Sequence, residues 1–322
     1  MKAFLRKKEY LVAFFLAATL GFTPQSCVHA GLREAQPTGS AGQAQDKVPT
    51  TFKVAAVQAV SMMGAVRSNR ARLQQMVRKA AENGAKVIVL PETAISGYMS
   101  SDLRAAWQLE NHNVTKGLTG ISPEQIAETV PGPSTKAFAS LAKELRVYLT
   151  VPLLEVDPKS GNCYNTVVLI GPNGKLLLHY RKINPWPFAE CGWASKGDRG
   201  NVFIDTPCGR MSLLICYDIN FEPPNLKKLG VDHLLYPIAW VDSKDSTWFE
   251  QKLPNIAKEN NINIIGANWT IPLGLKADWH GYGHTLILSR DGTTLAKATS
   301  DTEEQIVYAE LKIPPKHAKP QP

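Results

Sequence analysis

The chain has 322 residues, 44% of them apolar and 20% charged, and 36 Lys and Arg against 28 Asp and Glu give a formal net charge of +8. That length buries a substantial core in one large domain or two ordinary ones, and the apolar content excludes a globally disordered chain. The basic residues are scattered, with no block of like charge and no basic run interleaved with aromatics. This argues against nucleic-acid binding and leaves a mild surface excess that favours solubility.

Residues 1–30 read as a signal peptide. Lys2, Arg6, Lys7 and Lys8 precede the apolar run Leu11–Phe22, and Val28-His29-Ala30 offers small residues where a signal peptidase cuts. The run is short for a bilayer, and no second apolar stretch approaches transmembrane length. The expected location is therefore secreted or periplasmic, with no membrane span after leader removal; a retained N-terminal anchor is the competing reading. Residues 31–50 are polar, with Pro37, Gly39 and Gly42, and read as a flexible linker. Residues 314–322 hold four prolines and read as a loose tail. The folded body is 51–313.

Within that body strands and helices alternate. Phe52–Ala59 is a β-rich run, and Asn69–Glu82 has helical spacing with Leu73, Met76, Val77 and Ala80 on one face, stopped by Asn83-Gly84. Val87–Leu90 is a buried strand. The spacing predicts a helix over Ser134–Leu145, N-capped by Ser134. Val147–Leu154, Thr166–Ile170 and Lys175–Tyr180 are strands, the last two joined by a Pro172-Asn173-Gly174 turn. Further strands follow at Val202–Asp205, Met211–Cys216, His233–Tyr236 and Ile262–Ala267, with a helix over Ser246–Asn260. Leu286–Leu288, an Arg290-Asp291-Gly292 turn, Thr294–Ala298 and Gln305–Leu311 complete the chain. The alternation indicates an α/β protein with mixed sheets, one or two in number.

Three segments place a reactive side chain just beyond an apolar strand, where open α/β sheets build their sites. Glu92 follows Val87-Ile88-Val89-Leu90-Pro91, and desolvation there raises a carboxyl pKa towards that of a base working near neutrality. Lys182 ends Leu178-His179-Tyr180-Arg181, where an ammonium in a dry cleft can stabilise an oxyanion. Cys216 ends Leu213-Leu214-Ile215, and a cysteine with a base and a positive charge nearby becomes a nucleophile.

With Pro91-Glu92-Thr93, Tyr180-Arg181-Lys182 and Cys216-Tyr217-Asp218 in that order, the chain resembles the nitrilase or carbon–nitrogen hydrolase superfamily. Tyr164-Asn165-Thr166, Gly209-Arg210, Pro237-Ile238-Ala239-Trp240 and Gly283-His284-Thr285 support the match, which runs from about Phe52 to Leu311. The resemblance implies a four-layer α-β-β-α sandwich with two mixed sheets, commonly paired as a homodimer. It implies Glu92 as general base, Lys182 as oxyanion stabiliser, Cys216 as nucleophile and Glu155 as a second, supporting glutamate. It implies a small-molecule amide as substrate and no cofactor. No His and Cys cluster at metal-ligand spacing, and no glycine-rich phosphate loop is present.

Tyr217-Asp218 after the cysteine resembles amide-cleaving branches, whereas true nitrilases usually carry Trp-Glu there. Lys182-Ile183-Asn184-Pro185-Trp186 with Gly192-Trp193 is similar to aliphatic amidases, while Pro237-Ile238-Ala239-Trp240 looks more like the biotinidase and pantetheinase group. Substrate-binding candidates are Tyr98, Trp186, Tyr217 and Trp240, with Phe188 and Trp193 as further aromatic neighbours. The alternatives are an N-acyltransferase or nitrile hydrolase using the same triad, or a non-catalytic binding protein on this fold. Beyond the leader, Cys163, Cys191 and Cys208 permit one disulfide besides the nucleophile. Asn113-Val114-Thr115 and Asn268-Trp269-Thr270 match the N-glycosylation pattern.

Overall fold

The computed structural model describes residues 50–99, 123–187, 189, 190, 192–271 and 280–315, all within the compact unit Lys47–Pro322. The leader expected over 1–30, the linker expected over 31–50 as far as residue 49, residues 316–322 of the tail expected over 314–322, and Asn113, Phe188 and Cys191 lie outside the described residues.

Two six-stranded mixed sheets form the body. The first contains β1 (Thr51–Gln58), β2 (Val87–Val89), β3 (Tyr148–Val156), β4 (Cys163–Ile170), β5 (Leu176–Arg181) and β12 (Gln305–Lys312), in the order β12-β1-β2-β3-β4-β5. The second contains β6 (Phe203–Thr206), β7 (Gly209–Leu213), β8 (His233–Ile238), β9 (Asn263–Asn268), β10 (Leu286–Leu288) and β11 (Thr294–Lys297), in the order β11-β10-β9-β8-β7-β6. β1, β2 and β3 run parallel, as do β7, β8 and β9, while the outer strands close each sheet antiparallel.

Side-chain parity sorts the layers. Val54, Ala56, Val87, Val89, Val167, Leu169, Leu178 and Tyr180 join a core shared with Met211, Leu213 and Leu235 of the second sheet. Their neighbours Ala55, Val57, Ile88, Leu149, Val151 and Val168 point the other way, onto helices α1 (Val66–Glu82) and α3 (Pro133–Leu145) through Leu73, Val77, Phe138 and Leu141. Alternation along a strand fixes this division, since successive side chains leave opposite faces. Leu226 of α4 (Pro223–Lys228), and Leu253 and Ala257 of α5 (Leu253–Asn260), bury against the second sheet. The result is the helix–sheet–sheet–helix sandwich with two mixed sheets that the resemblance implies.

Several element boundaries differ from expectation, each for a local reason. Helix α1 begins at Val66, and Asn69 lies inside it. The Asn69 side chain accepts from Met62 N and donates to Met62 O and Ile95 O, pinning the helix to the loop after Glu92. Gly132, not Ser134, caps α3. The Ser134 hydroxyl donates instead to Glu128, and Thr135 Oγ1 accepts from Gly132 N. The helix expected over Ser246–Asn260 opens as a wider turn, Trp248–Lys252, before α5, in whose first turn Pro254 has no N–H to donate. A short helix α2 (Pro123–Ile126), which carries too few residues for a periodic signal, precedes α3.

Candidate active site

The parallel strands β2, β7 and β8 deliver three segments to one end of the sandwich. β7 stops at Leu213, earlier than the apolar run suggests, and the chain turns into a 3₁₀ turn, Cys216–Asn220. Cys216 opens that turn with φ +42°, a left-handed conformation that costs an L-residue energy and points its side chain out of the strand's course. Tyr236 of β8 donates its hydroxyl to Cys216 O over 2.8 Å, which anchors the bend. Glu92 follows β2, and its backbone N–H donates to Ile238 O at the end of β8, 3.2 Å away.

Lys182 extends just past β5, with its N–H donating to Asn165 O over 2.8 Å. Its ammonium is buried between two carboxylates, 2.8 Å from Glu92 Oε1 and 2.7 Å from Glu190 Oε2. Asn165 Nδ2 donates to Glu92 Oε1 over 2.7 Å and also to Glu190 Oε1. Glu92 Oε1 is therefore held by two donors. Among the described residues Glu92 Oε2 is buried with no fixed hydrogen-bond partner, and the Cys216 thiol lies close enough to lower this carboxyl's pKa as a donor.

Burial pushes the Glu92 carboxyl up to about 7 against the pull of the Lys182 ammonium, and Glu190 pushes in the same direction as burial. Burial opposes the charge on Lys182, but the carboxylates of Glu190 and Glu92 outweigh it and raise the ammonium's pKa. Burial, then Glu92, pushes the Cys216 thiol well up, while Lys182 and the Ala239 N–H favour the thiolate. At neutral pH the site thus holds a thiol, a fixed cation, and a carboxyl poised to exchange a proton.

A third buried carboxyl ties the pieces together. Asp218, two residues after Cys216, accepts from Tyr180 Oη over 2.7 Å, from Asn184 N over 2.7 Å and from Asn184 Nδ2 over 3.0 Å. Burial raises it to about 6 despite Lys182 and these donors.

Glu155 is not at the site. It lies near the end of β3 on the same face as Leu153, Thr166 and Arg181, which is the helix-covered face, whereas Lys182 shares the parity of Tyr180 on the inner face. Glu155 pairs with Arg181 and His179 and accepts from the Thr166 hydroxyl. Arg181 adds Asp157 and Asp198 and lies 3.9 Å over the Tyr164 ring. The glutamate beside Lys182 is Glu190, positioned by a turn in which its own N–H reaches Trp186 O and its Oε2 accepts from Trp186 N.

A cleft of about 180 Å³ opens over Cys216, walled by Trp186, Tyr217, Ala239, Trp240 and Val241. Three of the four expected substrate-binding residues therefore meet around the sulfur. Tyr98 does not open on the cleft. It is buried in the cluster that also holds the wall residue Ala239 and packs against Trp186 and Val241, edge-on to Trp269 at 5.2 Å, and burial and the nearby Glu190, Glu92 and Cys216 raise its phenol. Trp193 spends its indole N–H on Met99 O.

Sequence reasoning passed over Glu190. Its only signal is a carboxylate inside the otherwise apolar and turn-forming stretch Trp186-Pro187-Phe188-Ala189. Among the described residues Cys163, Cys208 and Cys216 are free thiols. Asn268 is buried, and its amide donates to Gly281 O and Gly283 O, so the second glycosylation pattern is closed to modification.

The carbon-nitrogen hydrolase family profile matches residues 53–314. Omega-amidase NIT2 of Homo sapiens is 31% identical over 277 residues, spanning 82% of this chain and 90% of the relative. A formamidase of Bacillus cereus (strain B4264) is 29% identical over 251 residues, 74% of this chain and 68% of the relative. Among solved structures, an amidase from Nesterenkonia sp. aligns with a TM-score of 0.66 at 20% identity, covering 84% of this chain and 94% of its own. Saccharomyces cerevisiae Nit3, a member of branch 10 of the nitrilase superfamily, gives 0.66 at 24%, covering 86% and 94%. At those identities the two structures speak for the fold.

Proposed function

Because the chain belongs to the carbon–nitrogen hydrolase family, we propose that it cleaves an amide carbon–nitrogen bond through a thioester on Cys216, releasing a carboxylic acid and ammonia or an amine. The observation that carries this reading is the divided Glu92 carboxyl. One oxygen is fixed by Lys182 and Asn165, and the other has among the described residues no donor but the Cys216 thiol beside the carboxyl. A proton acceptor needs that arrangement.

Glu92 takes the Cys216 proton as the sulfur attacks the amide carbonyl. Lys182 Nζ and the Tyr217 N–H stabilise the oxyanion, one such donor contributing about 10²–10³ in rate. Glu92 then gives the proton to the departing nitrogen, the C–N bond breaks and the acyl group stays on Cys216. Glu92 next accepts a proton from water, whose oxygen attacks the thioester; the C–S bond breaks, the acid leaves, and Glu92 returns the proton to the Cys216 sulfur. Glu190 balances Lys182 from the far side, so the ammonium keeps its place while Glu92 changes charge. The leader-like residues 1–30 support an exported site of action, secreted or periplasmic.

Intact-mass measurement after brief exposure to simple amides tests the reading. The expected result is a gain of one acyl group, absent in Cys216→Ala. Release of ammonia or amine with Cys216→Ala fully active would overturn it.

A further inference from the structure

The cleft above Cys216 is an acyl pocket of a particular kind, and the inference drawn from it rests on the amidase reading. Its walls are two indoles, a phenol ring, a valine and an alanine, and among the described residues it is lined by no Lys, Arg, His, Asp or Glu side chain. Asn220, exposed, is its one amide side chain. The nearest fixed cation, Lys182, is held between Glu92 and Glu190 and is not among the residues that line the cleft.

Trp240 is the rigid part of this wall. Its ring stacks on Trp248 with centroids 3.7 Å apart and planes at 27°, and Phe249 meets Trp248 edge-on at 4.9 Å. On its polar edge Nε1 donates to Asp242 Oδ2 over 2.9 Å, and Asp242 is itself held by Ser246 Oγ. A ring gripped on one face and one edge presents its other face without losing rotamer freedom on binding.

We propose that the substrate's acyl group is uncharged and apolar, with about the bulk of a short alkyl chain or single ring, and that Trp240 is the residue that selects it. The acyl group is the part that must fit here, because it stays bonded to the Cys216 sulfur in both half-reactions while the leaving nitrogen departs after the first. An apolar cavity of about 150 Å³ holds a benzene molecule, so a cleft of about 180 Å³ takes a group of that size. Each methylene brought out of water against these walls raises affinity for the transition state roughly fourfold. A terminal carboxylate or ammonium in the same position gives up hydration and meets no counter-charge among the described residues.

The test is a set of primary amides assayed for ammonia release: acetamide, propionamide, butyramide and pentanamide, with glutaramate and 5-aminopentanamide as charged partners of the last. The expected result is a kcat/KM that climbs about fourfold per methylene, with both charged amides at least tenfold below pentanamide. Glutaramate or 5-aminopentanamide equal to or better than pentanamide would overturn the inference and leave the amidase reading intact. No turnover of any member would remove both. In Trp240→Ala the preference for pentanamide over acetamide should shrink about tenfold, mainly through KM, whereas Trp240→Phe should retain most of it. An unchanged preference in Trp240→Ala would also overturn the assignment, and the wild-type comparison stands whether or not that variant folds.

Discussion

Tyr180 donates its phenolic hydrogen to Asp218 over 2.7 Å, and this bond joins the strand that leads to Lys182 to the turn that begins at Cys216. Both side chains are fully buried. Tyr180→Phe removes one donor from a carboxyl that cannot recover it from water. The expected loss of stability is about 1–3 kcal/mol, read from urea unfolding. Turnover should fall as well, because the two catalytic segments lose a tie.

Glu92 should control the acid limb of activity. With its carboxyl raised to about 7 by burial, kcat/KM should fall about tenfold per unit of pH below that value, because only the unprotonated form accepts the thiol proton. Glu190 raises Glu92 through charge, so Glu190→Gln should move the limb to lower pH. A limb that stays in place would detach Glu190 from Glu92.

Two buried carboxyls, Glu92 and Asp218, make the fold less stable as pH rises. Folded Glu92 keeps a proton that the unfolded chain would release from about pH 4 upwards, and folded Asp218, raised to about 6, behaves alike. Their contribution is complete below the ordinary carboxylate range and is lost as pH climbs through 6 and 7. Urea titrations of wild type and Glu92→Gln should show a shallower decline in the variant.

Lys182→Ala should reduce turnover by at least about 10²-fold and leave Glu92 and Glu190 facing each other without their cation. Two buried like charges hold protons tightly, so this variant should unfold more readily at pH 8 than at pH 5, as circular dichroism in urea would show. Near-native activity would refute the assignment of Lys182.

Glu155→Gln and Glu190→Gln should part company. Glu155 is depressed to about 2: burial opposes its charge, but His179, Arg181 and Thr166 together outweigh it. Its stabilising share is present above the ordinary carboxylate range and is lost as pH falls from about 4 towards 2. Breaking a buried pair costs about 3–5 kcal/mol, somewhat less here because Arg181 keeps Asp157 and Asp198. Glu155→Gln should therefore weaken the fold and shrink its acid sensitivity, whereas Glu190→Gln should act first on turnover.

The contrast between those two glutamates marks where the sequence could be read. Strand-end positions were legible because a continuous apolar run points to its own terminus, which brought Glu92, Lys182 and Cys216 to notice. The face a strand-end residue occupies was not, since one step along β3 or β5 moves a side chain from the inner layer to the helix side. Glu155 fell on the wrong side of that parity. Glu190 sits in a turn with no period at all, held by Trp186, and such local closure leaves no repeating pattern. The two sheets followed from the resemblance, because alternation alone does not say how strands are shared between layers. The apolar stretch before Cys216 hid its bend for a related reason: Leu214 and Ile215 are as buried outside the sheet as strand residues are inside it.

Strand β12 lies against β1 from Thr51↔Lys312 to Gln58↔Gln305. The first strand of the body is thus sealed by the last, and a growing chain leaving the ribosome carries β1 with one edge open until residues 305–312 have been added. Long-range pairing of that kind makes folding late and cooperative, and an open strand edge invites association with other chains. A message truncated anywhere ahead of residue 305 would therefore yield an aggregation-prone fragment rather than a shortened enzyme.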